Sequence, residues 1–287
     1  MATDREHGWM PLPAAVRKRA GLVLTPKGRR KTGLFLVEGF RLFESALEYH
    51  WPIEAVIVRD DGAALARLAA LLASHQVGKA PVYIAALKVF DHLTSTVEPA
   101  GVVALARQKS PVSDEQHLIG KKLLIADNVR DPGNLGAVVR SAAAFAVDGV
   151  YLSTGCVELY NPKVVRATMG AVFGVPVCAE VEPAALGEKL REGGFTIFVA
   201  NPREGLRLQD IRPPSRWALV IGGETHGCAE SWRTWGARPV RIPMTARVES
   251  LNSAVAAGII LYHLTNPPHP ARTFMSAAAR HTRQKRV

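Results

Sequence analysis

Three stretches of the 287-residue chain hold polar side chains spaced closely enough to do chemistry. The first runs Asp127-Asn128-Val129-Arg130-Asp131-Pro132-Gly133-Asn134-Leu135-Gly136 and on to Arg140. Pro132 and Gly133 shape a tight turn, Asn134 can cap the helix that follows, and Arg140 projects nearly two turns into it from an Ala/Val-rich surface. A guanidinium so placed needs a partner. A structural role would pair it with Asp127 or Asp131; a functional one would turn it on a phosphate or a hydroxyl. The second stretch is Ile221-Gly222-Gly223-Glu224-Thr225-His226-Gly227, whose three glycines let backbone approach a ligand closely. It is neither a dinucleotide fingerprint nor a phosphate loop.

The third stretch, Val240 to Leu264, joins a short apolar strand (Val240 to Met244, with Pro243 suiting a strand end) to the run Ser250-Leu251-Asn252 and then to a helix. Ser253 or Asn252 can cap that helix, and its Ala/Val/Ile face from Ala254 to Leu264 has the apolar density of a buried element. Free N–H groups and polar side chains meet at the helix start, where the partial positive charge favours polar or anionic ligands. Taken alone, the stretch also fits an ordinary capped core helix.

The elements that must position these groups alternate along the chain. From Lys121, short apolar strands at Leu123–Ala126, Val150–Ser153, Val175–Val181, Thr196–Ala200 and Ala218–Ile221 alternate with helices over Asn134–Phe145, Lys163–Phe173 and Ala184–Arg191. That pattern predicts a parallel sheet covered on both faces, with ligands beyond the carboxyl ends of its strands. An earlier α/β unit precedes it. Strands at Leu34–Val37, Ala55–Val58, Val82–Ala85 and Val102–Ala106 alternate with helices over Phe40–Tyr49, Ala63–Ser74 and Leu87–His92. The expected organisation is a basic arm and small domain over residues 1–108, a polar linker over 109–120, a second domain over 121–268, and a basic tail over 269–287. The arm carries Arg17, Lys18, Arg19, Lys27, Arg29, Arg30 and Lys31 with few acids. Arg29, Arg30 and Lys31 are the candidate phosphate contacts within it, the alternative being a solvated charge run.

Composition narrows the class of partner. Lys and Arg outnumber Asp and Glu by 36 to 25, which points to a polyanion, nucleic acid before an acidic membrane. No apolar run has the length of a spanning helix, and MATDREHGWM lacks the form of a secretory signal, so the expected compartment is the cytoplasm. Cys156, Cys178 and Cys228 are widely separated and odd in number, and the histidines show no ligand spacing, so neither a disulfide framework nor a metal site is expected.

In that order and spacing, DNVRDPGNLGAVVRSAAAFA, IGGETHG and IPMTARVESLNSAVAAGIILY resemble the three signature motifs of the SpoU–TrmH family of RNA ribose 2′-O-methyltransferases, within the SPOUT superfamily. NPKVVRATMGAVFGVPV, Asn161 to Val177, is similar to the same family, and the basic run before LFLVEGF resembles the L30e-like RNA-binding domain that many members carry. The implied fold is a small L30e-like α/β domain followed by a SPOUT α/β domain, its sheet mostly parallel and its carboxy-terminal helix threaded into a trefoil knot. The resemblance implies a homodimer using S-adenosylmethionine, with Arg140 of one chain beside the cofactor held by the other. It sets the cofactor against backbone at Gly222, Ile242 and Leu251. Asn134, Arg140, Glu224, Ser250 and Asn252 match the family's functional polar positions. Arg140 would draw in the target phosphate and favour the developing alkoxide; Asn134, Ser250 and Asn252 would position the ribose and the loops, and Glu224 would brace the site. No metal is needed. Gly223, Thr225 and Thr168 depart from frequent family residues, and Thr225 is a β-branched side chain in the cofactor loop.

The expected function is therefore ribose 2′-O-methylation of RNA, with 23S-type ribosomal RNA ahead of transfer RNA because a separate amino-terminal domain is present. The rivals are a non-catalytic RNA-binding assembly factor on the same scaffold and a nicotinamide-dependent Rossmann enzyme. Intact motif side chains argue against the first, and the lack of a glycine fingerprint at the first strand turn argues against the second.

Overall fold

The structure, a computed structural model, describes residues 8–75, 77–109, 120–223, 227–245 and 247–266. In the amino-terminal part, strands β1 (Met10–Pro11), β2 (Leu34–Glu38), β3 (Ile53–Arg59), β4 (Val82–Ala85) and β5 (Val102–Arg107) form one sheet in the order β1-β4-β3-β5-β2. β1, β4 and β3 are parallel, whereas β5 runs antiparallel to β3 and β2. Five helices accompany it: α1 (Ala14–Leu22), α2 (Pro26–Thr32), α3 (Phe40–Glu48), α4 (Gly62–Ser74) and α5 (Leu87–Asp91). The basic arm is thus two helices. PKGRRKT shows no apolar stripe, but its ends carry the signals: Thr25 Oγ1 accepts from the Gly28 N–H at 3.1 Å, Pro26 opens the helix, and Gly33 closes it at φ 65°.

The second sheet has strands β6 (Lys122–Asp127), β7 (Gly149–Ser153), β8 (Val177–Val181), β9 (Thr196–Ala200), β10 (Leu206–Arg207), β11 (Trp217–Gly222) and β12 (Arg238–Arg241). Its order is β10-β12-β9-β11-β6-β7-β8, and every neighbouring pair is parallel. The α/β class with a mostly parallel second sheet is as expected. Helices α6 (Pro132–Ala144), α7 (Pro162–Ala167), α8 (Ala171–Gly174), α9 (Pro183–Glu192), α10 (Ser231–Thr234) and α11 (Ser253–Thr265) complete it. Two boundaries differ from the sequence reading. β12 ends before Pro243, which cannot donate to a ladder. The single helix expected over 163–173 is broken where Met169 and Gly170 take left-handed backbone, φ 52° and 96°. A side chain at Gly170 would also run into Ser45, so this glycine lets the two domains approach closely.

The domains share one hydrophobic core. β2 lies at the edge of its sheet yet is buried along its whole length, because the second domain covers it. Phe35 packs on Tyr160 with ring centroids 4.5 Å apart, and Trp51 meets Phe173 edge-on at 5.2 Å. Arg166 pairs with Glu38 at 3.0 Å across the same boundary. Most of the expected linker, and all of the basic tail with Arg280, Arg283, Lys285 and Arg286, lie outside the described residues.

Candidate active site

All strands of the second sheet point the same way, so their carboxyl ends line one edge, and three segments converge there. The loop after β6 turns into α6. The glycine loop follows β11. The chain beyond β12 returns to start α11 beside α6. Ala200 at the end of β9 and Asn201 after it, Ile221 to Gly223 at the end of β11, Val240, Ile242 and Met244 around β12, and the first turns of α11 enclose an open cavity. Gly222, Ile242, Leu251 and Ser250 all line it. None of the described lining residues is charged.

The helix starts are built by caps. Asp131, not Asn134, caps α6, its Oδ1 accepting from the Asn134 N–H at 2.8 Å. Asn252 caps α11, its Oδ1 accepting from the N–H groups of Ala254 (3.0 Å) and Val255 (3.2 Å). Its Nδ2 then donates to Asn134 Oδ1 at 2.8 Å, which ties the two helix starts together. Ser253, one residue on, faces inward with the stripe Ala257, Ile260 and Leu264. Its Oγ is buried and has no hydrogen-bond partner among the described residues.

Arg140 is exposed and makes no ion pair or hydrogen bond among the described residues; it does not line the cavity. The carboxylates considered as its structural partners are otherwise engaged. Asp131 caps α6, and Asp127, fully buried, accepts through Oδ2 from the Ala229 N–H (2.7 Å) and the Trp232 indole N–H (2.9 Å) and through Oδ1 from Asn128 Nδ2 (3.0 Å). Asp127 thereby clamps the outgoing limb of the glycine loop to the end of β6. Sequence reasoning missed this role; an acid at a strand end was its one local signal, since the indole partner, Trp232 in α10, is 105 positions away. The glycines serve the protein's own backbone first: a Cβ on Gly222 would fall 2.2 Å from the Gly227 carbonyl carbon, and one on Gly223 would fall 2.3 Å from the Asn128 oxygen. Glu224, Thr225 and His226 lie outside the described residues. Thr168, the other departure, is fully buried and its hydroxyl donates to the Val165 carbonyl at 2.7 Å.

Of the three basic residues named as RNA contacts, Arg29 is a correction. It is 1% exposed. Its Nε and Nη2 grip Glu158 in a two-pronged pair (2.8 and 2.6 Å), and Nη1 donates to the carbonyls of Val23 and Leu24. Arg30 and Lys31, on the exposed side of α2, remain free to face a polyanion. Among the described residues no three His, Cys, Asp or Glu side chains gather as a metal site, and no helix is long and apolar enough to cross a membrane.

Residues 121–262 match the SpoU rRNA methylase family model, and residues 16–104 match the MRM3-like substrate binding domain. Similar to the chain is the 23S rRNA (guanosine(2553)-2′-O)-methyltransferase RlmP of Bacillus subtilis, 30% identical over 240 residues, covering 84% of this chain and 92% of that one. This chain belongs to the SpoU rRNA methylase family. A 23S rRNA (uridine(2479)-2′-O)-methyltransferase of Streptomyces viridochromogenes is 28% identical, with 85% and 87% covered. Among solved structures, the AdoMet-bound rRNA methyltransferase of Sinorhizobium meliloti superposes with a TM-score of 0.75 at 28% identity, covering 89% of this chain and 95% of that one. The SpoU methyltransferase AviRb of S. viridochromogenes, also in complex with AdoMet, gives 0.75 at 25% identity, covering 88% and 98%.

Proposed function

We propose that this SpoU-family chain is an S-adenosylmethionine-dependent methyltransferase acting on a ribose 2′-hydroxyl in 23S-type ribosomal RNA, in the cytoplasm. One observation carries the reading: the second and third motif segments line a single cavity and the first is tied to its rim by the Asn134–Asn252 hydrogen bond (2.8 Å), in a chain similar along most of its length to RlmP. The cavity suits the cofactor. Its walls are mostly apolar side chains and glycine backbone, with Asn201 and Ser250 among them, and the Ser253 hydroxyl, without a partner among the described residues, is a buried polar group that a ligand can satisfy. Backbone at Gly222, Ile242 and Leu251 would hold the cofactor, which supplies a methyl group on a positively charged sulfur.

The chain's own residues have to deliver the hydroxyl. Arg140, with no partner among the described residues, is available to draw in a phosphate and to stabilise negative charge on the attacking oxygen. It acts by charge, because a guanidinium hardly ever gives up its proton. Asn134 and Asn252, bonded to each other, fix the two helix starts, while Ser250 stands exposed at the cavity wall to meet the ribose. Glu224 is assigned the bracing role that its motif position implies. Arg30 and Lys31 supply RNA contacts from the amino-terminal domain.

The working unit is a homodimer. On α11, Val255, Ile259 and Tyr262 are spaced four and three residues apart and expose 51%, 39% and 61% of their surface, an apolar stripe rather than the fully buried helix anticipated from composition. α11 lies along α6, where Gly258 faces Ser141, so covering this stripe with a second copy also brings Arg140 to the subunit boundary.

The test is to incubate the protein with labelled S-adenosylmethionine and total RNA from a strain lacking its gene, then to map new resistance to alkaline cleavage. One new protected linkage in 23S-type RNA is expected. A protected linkage in transfer RNA would redirect the substrate, and cofactor binding with no methylated RNA, ribosome precursors included, would favour a scaffold role.

A further inference from the structure

The Ser253 hydroxyl has no counterpart in the mechanism, and its position is unusual for a serine at a helix start. The neighbouring Asn252 already caps α11, so Ser253 is not needed there. Its side chain points to the core side, where residue 257 is Ala and residues 260 and 264 are Ile and Leu, and it is 7% exposed. A buried hydroxyl without a partner is a standing cost to the fold. Nonetheless the residue lines the cavity, together with Ala256 and Ile260 of the same helix.

We propose that Ser253 is a cofactor-binding residue whose hydroxyl forms a hydrogen bond to the adenosyl part of S-adenosylmethionine. The inference rests on the cofactor reading above and adds to it a side chain that reads the nucleoside. The lining decides which end of the ligand is involved. Ser253 shares the cavity with Ile221, Val240, Ile242, Ala256 and Ile260, a mostly apolar lining broken by Asn201 and Ser250 that suits a flat heteroaromatic ring whose few edge atoms seek hydrogen bonds. The ammonium and carboxylate of the methionyl part find no ion pair in such walls, since none of the described lining residues is charged.

The experiment is calorimetric titration of wild type and Ser253→Ala with S-adenosylhomocysteine and with 5′-methylthioadenosine, which lacks the amino-acid end, alongside thermal unfolding without ligand. Ser253→Ala is expected to weaken both ligands by the same factor, about five- to tenfold for one lost hydrogen bond. Its ligand-free melting temperature is expected to match or exceed that of wild type, because an unsatisfied buried group has been removed. Unchanged affinity would overturn the assignment, as would a loss confined to S-adenosylhomocysteine. A variant that melts well below wild type, or fails to fold, would make the hydroxyl a structural partner and overturn it too. If wild type bound neither ligand, the cofactor reading itself would fall, an outcome distinct from all of these.

Discussion

Arg29 and Arg30 are adjacent in a run of basic residues and face opposite ways. Arg29 turns inward to four acceptor atoms, two of them on Glu158 of the other domain, whereas Arg30 turns out. Charge counting cannot separate them; only the helical phase of α2 does. Arg29→Ala is expected to destabilise the protein by about 3 kcal/mol, at the low end for a broken buried pair because Glu158 keeps part of its surface in water. Denaturant unfolding measures it. The double change Arg30→Ala, Lys31→Ala is expected to leave stability unchanged while lowering RNA affinity. In filter binding over a salt series, the slope should fall by roughly 0.7–0.9 for each phosphate that is no longer neutralised. The cysteines make the opposite case, groups whose chemistry is suppressed. Burial, and next the nearby Asp127 charge, push the Cys228 thiol up to about 12, and burial raises Cys156 as well. A raised thiol stays protonated below its pKa, so at pH 8 neither is expected to react with iodoacetamide in the folded protein, as mass spectrometry of the intact chain would show.

At the scale of elements, the longer strands and the periodic helices of both domains are legible because continuous apolar runs and capped periodic stretches leave a local record, whereas the short β1 and β10 and the two helices of the basic arm, which lack such a record, are not. The α6 and α11 starts were placed within a few residues, although the capping roles moved: Asp131 took the place given to Asn134, and of the two candidates for α11, Asn252 was the cap. What was not legible depends on partners distant in sequence. Gly170, at the break, lies where a side chain would meet Ser45 of the other domain, and the Asp127 clamp is made by an indole 105 positions away. The glycine loop is similar: its residues stood out, but the reason for them is backbone packing against backbone. Gly222→Ala must displace the Gly227–Cys228 peptide, since its Cβ would lie 2.2 and 2.4 Å from that backbone. The expected result is cofactor binding weakened by more than about tenfold, with a stability loss of about 1–3 kcal/mol. Titration calorimetry that found wild-type affinity would mean that the loop accommodates a methyl group and does not hold the cofactor by its backbone path.

For the whole molecule, the decisive question is whether each active site belongs to one chain or two. Arg140 stands outside the cavity of its own chain, on the helix that runs alongside the exposed stripe of α11. Ile259→Glu, which places a charge in that stripe, is expected to give a monomer in light scattering and to abolish transfer, because the Arg140 that each cavity needs would be gone with the partner. Loss of activity alone does not distinguish a shared site from a destabilised fold, whereas complementation does. Arg140→Ala is expected to bind cofactor and dimerise normally but to transfer no methyl group; Gly222→Ala keeps Arg140 but, assayed at a cofactor concentration well below its weakened Kd, leaves its own cavity empty. When the two inactive variants are unfolded together and refolded at equal concentration, half of the dimers pair one of each. If sites are shared, each such dimer has one cavity intact and facing an intact Arg140, so about a quarter of wild-type activity is expected. If Arg140 served its own chain, both sites of every mixed dimer would lack something, and the mixture would stay inactive. The magnitude follows from symmetry alone, so a measured rate near zero would return the arginine to its own subunit.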